Sequence, residues 1–204
     1  MTTGSANDKR LEAIVLAAGS GSRFGGAKLL APWRGGVLLD GALAAAFAAP
    51  ARTVSVVTGA EAERVEAAAR GFATHKDQAA RLRIVHAADH AEGMGASLRA
   101  AARSLPQDAA GVFVFLGDMP RIPTTVPHAL AASLVAADAA APFVDGRRGH
   151  PVLIGASLFP AMMDLGGDEG ARALLSGLGE RLARVDTDDD GVLFDVDRPQ
   201  DLPA

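Results

Sequence analysis

An apolar run that empties into a glycine-rich, cationic loop dominates the start of this sequence: Ala13-Ile-Val-Leu-Ala17, then Ala18-Gly-Ser-Gly-Ser-Arg-Phe-Gly-Gly-Ala-Lys28. The run has the length and composition of a buried strand. Gly19, Gly21, Gly25 and Gly26 punctuate a loop that holds two cations, Arg23 and Lys28, and no acid. Glycine permits positive φ and lets a ligand come close to the main chain, so such a loop presents backbone N–H groups to an anion. The two side chains add full positive charge. The stretch predicts a triphosphate cradle; a glycine-rich turn with two solvated cations is the plainer alternative.

Two common phosphate loops fit badly. A dinucleotide fingerprint needs G-x-G-x-x-G and an acid after the second strand. Here the spacing is G-x-G-x-x-x-G, and Arg52–Gly59 ends without an acid. A Walker A loop needs G-K-[ST] ahead of a helix. Here Lys28 is followed by Leu-Leu-Ala-Pro32, which cannot continue as a long helix.

The chain has 204 residues, enough for one α/β domain with a full core. The expected division is a flexible tail over 1–10 and a single domain over 11–204. Cysteine is absent, which excludes thiolate nucleophiles, thiolate zinc sites and iron–sulfur clusters. A net charge of −4 argues against wide nucleic-acid binding, so a nucleotide site must make its positive field locally. No apolar run approaches the length of a membrane span, and the polar start lacks a signal-peptide core. A cytoplasmic location is the default expectation.

Strands are expected near 11–17, 52–58, 82–86 and 112–116, with helices over 38–49, 61–70, 94–105 and 124–137. Gly71 is read as the stop of the second helix. This alternation predicts a parallel sheet with helices on both faces. Further on, 140–144 and 150–154 read as strands that Pro142 and Pro151 push towards an edge or a strand end. Short helices near 156–164 and 168–178 follow, then strands near 182–186 and 192–196 around the acidic turn Asp188–Asp190.

In an open parallel sheet, ligands sit beyond the carboxyl ends of the strands. Leu116-Gly-Asp-Met-Pro120 therefore brings Asp118 to the edge that carries the glycine loop. A carboxylate there suits Mg²⁺, a hard cation that bridges to phosphates; an Asx-turn or capping role is the alternative. Asp195 and Asp197 project to one face of an extended segment, and either supplies a second carboxylate. Asp201 reads as solvated or capping, and Asp188–Asp190 as a solvated turn. Gly93 and Gly95, at a strand-to-helix turn, expose backbone groups able to read a base edge or ribose. His150 either orients a phosphate or is a satisfied buried imidazole, and the second reading is favoured. Asp168 either acts on a ligand or caps the helix containing Arg172.

Six segments carry a resemblance: the glycine loop from Leu16 to Lys28, Glu92-Gly-Met-Gly-Ala-Ser-Leu98, Leu116-Gly-Asp-Met-Pro120, Gly149-His-Pro-Val152, Gly167-Asp-Glu-Gly-Ala-Arg172 and Asp195-Val-Asp-Arg-Pro199. Together they make the chain, from about Glu12 to Leu202, similar to the molybdenum cofactor cytidylyltransferases of the MobA-like nucleotidyltransferase family. The resemblance implies a three-layer, Rossmann-like α/β fold with the mostly parallel sheet of nucleotide-diphospho-sugar transferases. It implies transfer of CMP from CTP to the phosphate of molybdopterin, release of pyrophosphate, dependence on Mg²⁺, and transient contact with a molybdoenzyme. Leu-Ala-Ala-Gly accompanies CTP in that family, so Ala18 leans towards cytidine. The implied nucleotide site comprises Leu16, Ala17, Ala18, Gly19, Gly21, Arg23, Lys28, Gly93, Gly95, Ser97 and Asp118. Arg23, Lys28 and Asp118 are the implied catalytic residues, Asp118 and Asp197 the metal ligands, and His150, Asp168 and Arg172 the acceptor-binding residues. Arg198 departs from the family's usual Asp-Val-Asp-Thr-Pro. A different phosphate acceptor, or a non-catalytic nucleotide or pterin carrier, stays open.

Overall fold

A computed structural model describes residues 10–167 and 170–202, with residue 23 by its backbone alone. The tail read over 1–10 lies outside the described residues except for Arg10. The elements run β1 (Leu11–Ala17), β2 (Pro32–Trp33), β3 (Gly36–Val37), α1 (Leu38–Ala48), β4 (Val54–Thr58), α2 (Ala62–His75), β5 (Leu82–His86), α3 (Met94–Arg103), β6 (Gly111–Leu116) and α4 (Val126–Ser133). They continue with β7 (Ala139–Val144), β8 (Arg147–Arg148), β9 (Val152–Gly155), α5 (Phe159–Met163), α6 (Gly170–Ser176) and β10 (Leu182–Asp186), with short 3₁₀ turns between.

The main sheet has the order β10-β7-β9-β6-β1-β4-β5, and β8 pairs with the end of β7. β6 lies at its centre, and β1 beside it is parallel to both β4 and β6. β9 runs antiparallel between β6 and β7, and β10 is parallel to β7. The alternation of strand side chains splits the core into two layers. Ala13, Val15, Phe113 and Phe115 face the cluster that receives Leu39 and Leu43 of α1, Val65 of α2 and Leu130 of α4. Ile14, Val112 and Val114 face Leu98 of α3, Met162 of α5 and Leu175 of α6. Two buried faces explain why these strands read as continuous apolar runs. No helix among the described residues is long and apolar enough to cross a membrane.

Glu12 interrupts that apolar pattern and is 1% exposed. It is satisfied where β1 begins: Arg52 Nε donates to it at 2.7 Å, Thr53 Oγ1 at 2.6 Å and Thr53 N at 3.1 Å. A buried carboxylate persists only with such partners.

Several expectations need correction. Gly71 does not stop α2, which continues to His75; burial of Ala69 and Ala73, and stacking of Phe72 on Phe47 at 6.2 Å, outweigh the local cost of glycine. The helix expected over 124–137 is shorter, since α4 ends at Ser133 and a 3₁₀ turn covers Leu134–Ala136. Pro151 does precede its strand, but Pro142 lies inside β7, an interior strand. It falls where β7 exchanges β9 for β8 as its neighbour, so its missing N–H breaks no continuous ladder. No strand forms over 192–196. Asp189 accepts from Gly191 N at 2.9 Å and opens a 3₁₀ turn over Asp190–Leu193, while Val196 N donates to the Asp118 carbonyl at 3.0 Å. The backbone groups of this segment are spent on loop ends, not on a sheet partner.

α1 approaches the turn after β6 closely. A Cβ at Gly41 would fall 2.5 Å from the Pro120 carbonyl oxygen. Gly41→Ala should therefore lower the melting temperature, because overpacking of about 1–3 kcal/mol exceeds the gain in helix propensity of about 1 kcal/mol. Thermal unfolding checks this; an unchanged or raised midpoint contradicts the close approach.

Candidate nucleotide and acceptor site

The glycine loop leaves the carboxyl end of β1 and folds back on itself. Phe24 and Gly26 donate to the Gly21 carbonyl at 2.9 and 3.1 Å, and Gly25 to Ser22 at 3.3 Å. These N–H groups are consumed inside the loop. Those of Gly19, Ser20 and Gly21 donate to no protein acceptor among the described residues. Gly21 has φ 61°, and a Cβ there would lie 2.9 Å from Lys28 Cβ. Both facts require glycine at this position. The loop thus delivers Lys28 next to its own unpaired N–H groups. Arg23 lies in the 3₁₀ turn Ser22–Phe24, and its side chain is outside the described residues.

Lys28 is 14% exposed and its Nζ lies 2.6 Å from Asp118 Oδ2 and 3.7 Å from Asp197 Oδ1. Three separate stretches of chain therefore meet at one ammonium group. Asp197 reaches it although no strand carries it. Asp201 Oδ2 accepts from Asp197 N at 3.0 Å and from Arg198 N at 2.7 Å, so Asp201 is the capping residue that the sequence suggested. Asp195 stands close by. Partial desolvation, then the charges of Asp197 and Asp118, hold its carboxyl above the usual range. Among the described residues no cluster of three or more His, Asp or Glu side chains forms a ready metal cage.

Two cavities open beside this charge cluster. The first, about 560 Å³, is lined by Leu16, Ala17, Ala18, Gly19, Gly21, Lys28, Gly93, Ser97 and Asp118, together with Ser20, Leu29, His90, Ala91, Met94 and Leu116. Of the implied nucleotide-site residues that are described in full, all border it except Gly95. Gly95 does not expose its backbone as expected: its N–H donates to the Gly167 carbonyl at 2.8 Å, and a Cβ there would fall 2.7 Å from Gly166. Its glycine serves close packing of two loops. Gly93 borders the cavity, but its N–H donates to the His90 carbonyl at 3.2 Å.

The second cavity, about 570 Å³, shares Leu16, Met94 and Leu116 with the first. His150 and Arg172 border it, and so do Arg147 and Arg148, which no sequence motif marks. Adjacent cations in a tight connection on the ligand-bearing edge were the available signal. Asp168 lies outside the described residues. His150 N donates to the Val192 carbonyl at 2.8 Å, and its ring Nδ1 is buried without a hydrogen-bond partner. The imidazole is thus buried but not satisfied. Burial holds its pKa below the usual histidine value, against the opposing pull of the Val114 carbonyl and Asp118.

Residues 13–185 match the MobA-like NTP transferase domain. Nicotine blue oxidoreductase of Paenarthrobacter nicotinovorans is 32% identical, over 93% of this chain and 93% of its own. The molybdenum cofactor cytidylyltransferase of Escherichia coli K12 is 28% identical, over 94% and 93%. Among solved structures, the Rv0371c homologue from Mycobacterium sp. strain JC1 superposes with a TM-score of 0.81 at 30% identity, covering 95% of this chain and 93% of that one. Rv0371c of Mycobacterium tuberculosis H37Rv, solved as a complex with manganese, gives 0.71 at 23% identity over 89% of each chain. The chain belongs to the MobA-like NTP transferase family and is a nucleotidyltransferase with the three-layer fold of nucleotide-diphospho-sugar transferases.

The depressed His150 pKa makes a stability prediction. The folded state holds a neutral ring more firmly than the unfolded chain does. That contribution is complete above the unfolded value of 6.5 and is lost as pH falls through the lower folded value. Melting temperature should fall on acidification below pH 6.5, and His150→Asn should flatten part of that slope. Parallel slopes in the two proteins would remove His150 as its source.

Proposed function

We propose that this enzyme transfers CMP from CTP to the phosphate of a molybdopterin-type acceptor and releases pyrophosphate, as one domain from residue 11 onward. One observation carries the reading: the Lys28 ammonium sits between Asp118 and Asp197 at the mouth of a loop with free N–H groups. In this reading the N–H groups of Gly19 to Gly21, with Arg23 and Lys28, hold the triphosphate. Leu16, Ala17, Ala18, Gly93 and Ser97 form the wall for base and ribose; Gly95 shapes that wall by packing. His150 and Arg172 hold the acceptor, and Asp168 belongs to the same expectation.

The donor set fits a divalent cation. Two hard carboxylate oxygens already converge on a positive charge, and Mg²⁺ is ordinarily held by one or two carboxylates plus substrate phosphates, not by a full protein cage. Asp118 and Asp197 would hold it. When bound, Mg²⁺ would neutralise phosphate charge and orient the reacting groups. Lys28, between the two carboxylates, offers a donor to the leaving pyrophosphate. The acceptor phosphate oxygen forms the new bond to the α-phosphorus as the bond to pyrophosphate breaks. Positioning and charge stabilisation supply most of the catalysis. No general base is needed, since a phosphate monoester is largely ionised near neutral pH, its second pKa being about 6.

The named cytidylyltransferase relative and Ala18 support CTP and molybdopterin. A molybdoenzyme receiving the product, and a cytoplasmic location where nucleoside triphosphates are held, belong to the same reading. A pyrophosphate-release assay with CTP, GTP and molybdopterin tests it. Turnover should need CTP and molybdopterin together, and Lys28→Ala should lower kcat/KM by about 10- to 150-fold, the equivalent of roughly 1.5–3 kcal/mol. A GTP preference overturns the base assignment; turnover only with another phosphate overturns the acceptor; nucleotide and pterin binding without pyrophosphate release makes the chain a carrier.

The metal assignment has its own test. Asp118→Asn and Asp197→Asn should each lose most activity at sub-saturating Mg²⁺ and recover part of it as Mg²⁺ rises. The double variant should lose less than the product of the single losses, because both changes damage one unit. If Asp195→Asn is the damaged protein and Asp197→Asn is silent, the second ligand is Asp195.

A further inference from the structure

Six of the seventeen arginines form ion pairs among the described residues. Arg52, Arg64, Arg70, Arg99, Arg181 and Arg184 each meet a carboxylate. Arg147, Arg148 and Arg172 are not among them: among the described residues none of the three side chains makes a hydrogen bond or an ion pair. All three border the second cavity, whose described lining includes no Asp or Glu. Among the described residues, three positive charges with no acidic partner share one concave, partly apolar space. Arg148 and Arg172 are near enough to repel each other, which together with burial holds Arg148 below its usual basicity. Such a cluster is stabilised only by a ligand of opposite charge.

The charge exceeds what one phosphate supplies. A phosphate monoester carries about −1.5 to −2 near neutral pH and matches two guanidinium groups. Arg148 and Arg172 stand on different elements, β8 and α6, so a phosphate can lie between them. Arg147 is the strand neighbour of Arg148 in β8, and successive strand side chains leave the backbone on opposite sides. The two cannot grip the same small group. Arg148 is half-buried and Arg147 is exposed, so the third cation stands at the rim.

We propose that the second cavity takes an acceptor with two separate anionic groups, the reacting phosphate between Arg148 and Arg172 and a further anion at Arg147. Arg147 is then the specificity-determining residue. The proposal rests on the acceptor reading above and adds a requirement that a simple monoester with a neutral tail does not meet.

Two probes of similar size separate the possibilities: glycerol 3-phosphate, with one anionic group, and 3-phosphoglycerate, with two. Each is titrated calorimetrically at fixed ionic strength into the full chain, with the first cavity filled by α,β-methylene-CTP and Mg²⁺. 3-Phosphoglycerate should bind about tenfold more tightly, the worth of one charge-assisted contact. Arg147→Ala should abolish that preference and leave glycerol 3-phosphate within about twofold. Arg148→Ala and Arg172→Ala should weaken both probes alike. Arg147→Gln, which keeps the length of the side chain, serves if the alanine variant melts early. Equal affinities in the native chain, a preference that survives in both Arg147 variants, or no saturable binding of either probe overturns the proposal. Binding of the nucleotide analogue is measured first. Its failure counts against the CTP reading alone, and the probes are then titrated without it and judged by the same arginine variants.

Discussion

The ammonium of Lys28 is the point on which the edge of the sheet depends. A lysine 14% exposed must be paired or lose its charge, and here it is paired twice, to Asp118 and to Asp197. Each partner arrives on a different piece of backbone: the loop after β1, the turn after β6 and the segment after the 3₁₀ turn Asp190–Leu193. None of these pieces is held by strand pairing at that point. Their common charge gives them one relative position. The sheet beneath makes this possible because β1 and β6 are parallel neighbours and end side by side, with Gly117 N donating to the Leu16 carbonyl at 2.9 Å.

From that edge the molecule makes two cavities with opposite electrostatic characters. In the first, the cation of Lys28 is met by two carboxylates, so a ligand there faces mixed charge and a row of free N–H groups. In the second, three guanidinium groups face no described acid. Leu16, Leu116 and Met94 form the wall they share. Met94 is 44% exposed, a large apolar side chain left open at the junction. An apolar divider between two charged compartments keeps water from bridging them freely, which strengthens charge interactions on both sides.

What could be read from the sequence was local and periodic. The apolar run at Ala13–Ala17, the run ending in Asp118 and the strand–helix alternation each declare themselves within a few residues, and the mostly parallel sheet follows. What could not be read depends on partners far along the chain. Nothing near Gly95 says that its N–H meets Gly167, and nothing near Pro142 says that β7 changes neighbours there. Arg147 and Arg148 look like any polar hairpin tip until β8 is set against α6. The sequence places Asp197 beside Asp118 at the end of a strand; it stands near Lys28 and Asp118, but no strand carries it, because Val192, Phe194 and Val196, whose apolar pattern suggests one, pack in a different way.

That difference explains how an irregular segment holds a functional carboxylate. Trp33, Leu38 and Val196 form a small third core, against which Phe24, Phe194 and Leu202 pack. The Arg121 guanidinium lies 3.8 Å from the centre of the Phe194 ring and 5.8 Å from Trp33, and the two rings are 6.2 Å apart. Arg121 follows the Asp118 turn closely in sequence, and its carbonyl would be only 2.2 Å from a Cβ at Gly191. The stretch that carries Asp118 therefore also grips the stretch that carries Asp197, by the Arg121 guanidinium over the Phe194 ring, by close backbone approach and by the Val196 N–H on the Asp118 carbonyl. A strand would have tied this segment to a sheet neighbour. This arrangement ties it to the turn that carries the opposing carboxylate, so the separation of the two acids is set by their own surroundings and not by the register of the sheet.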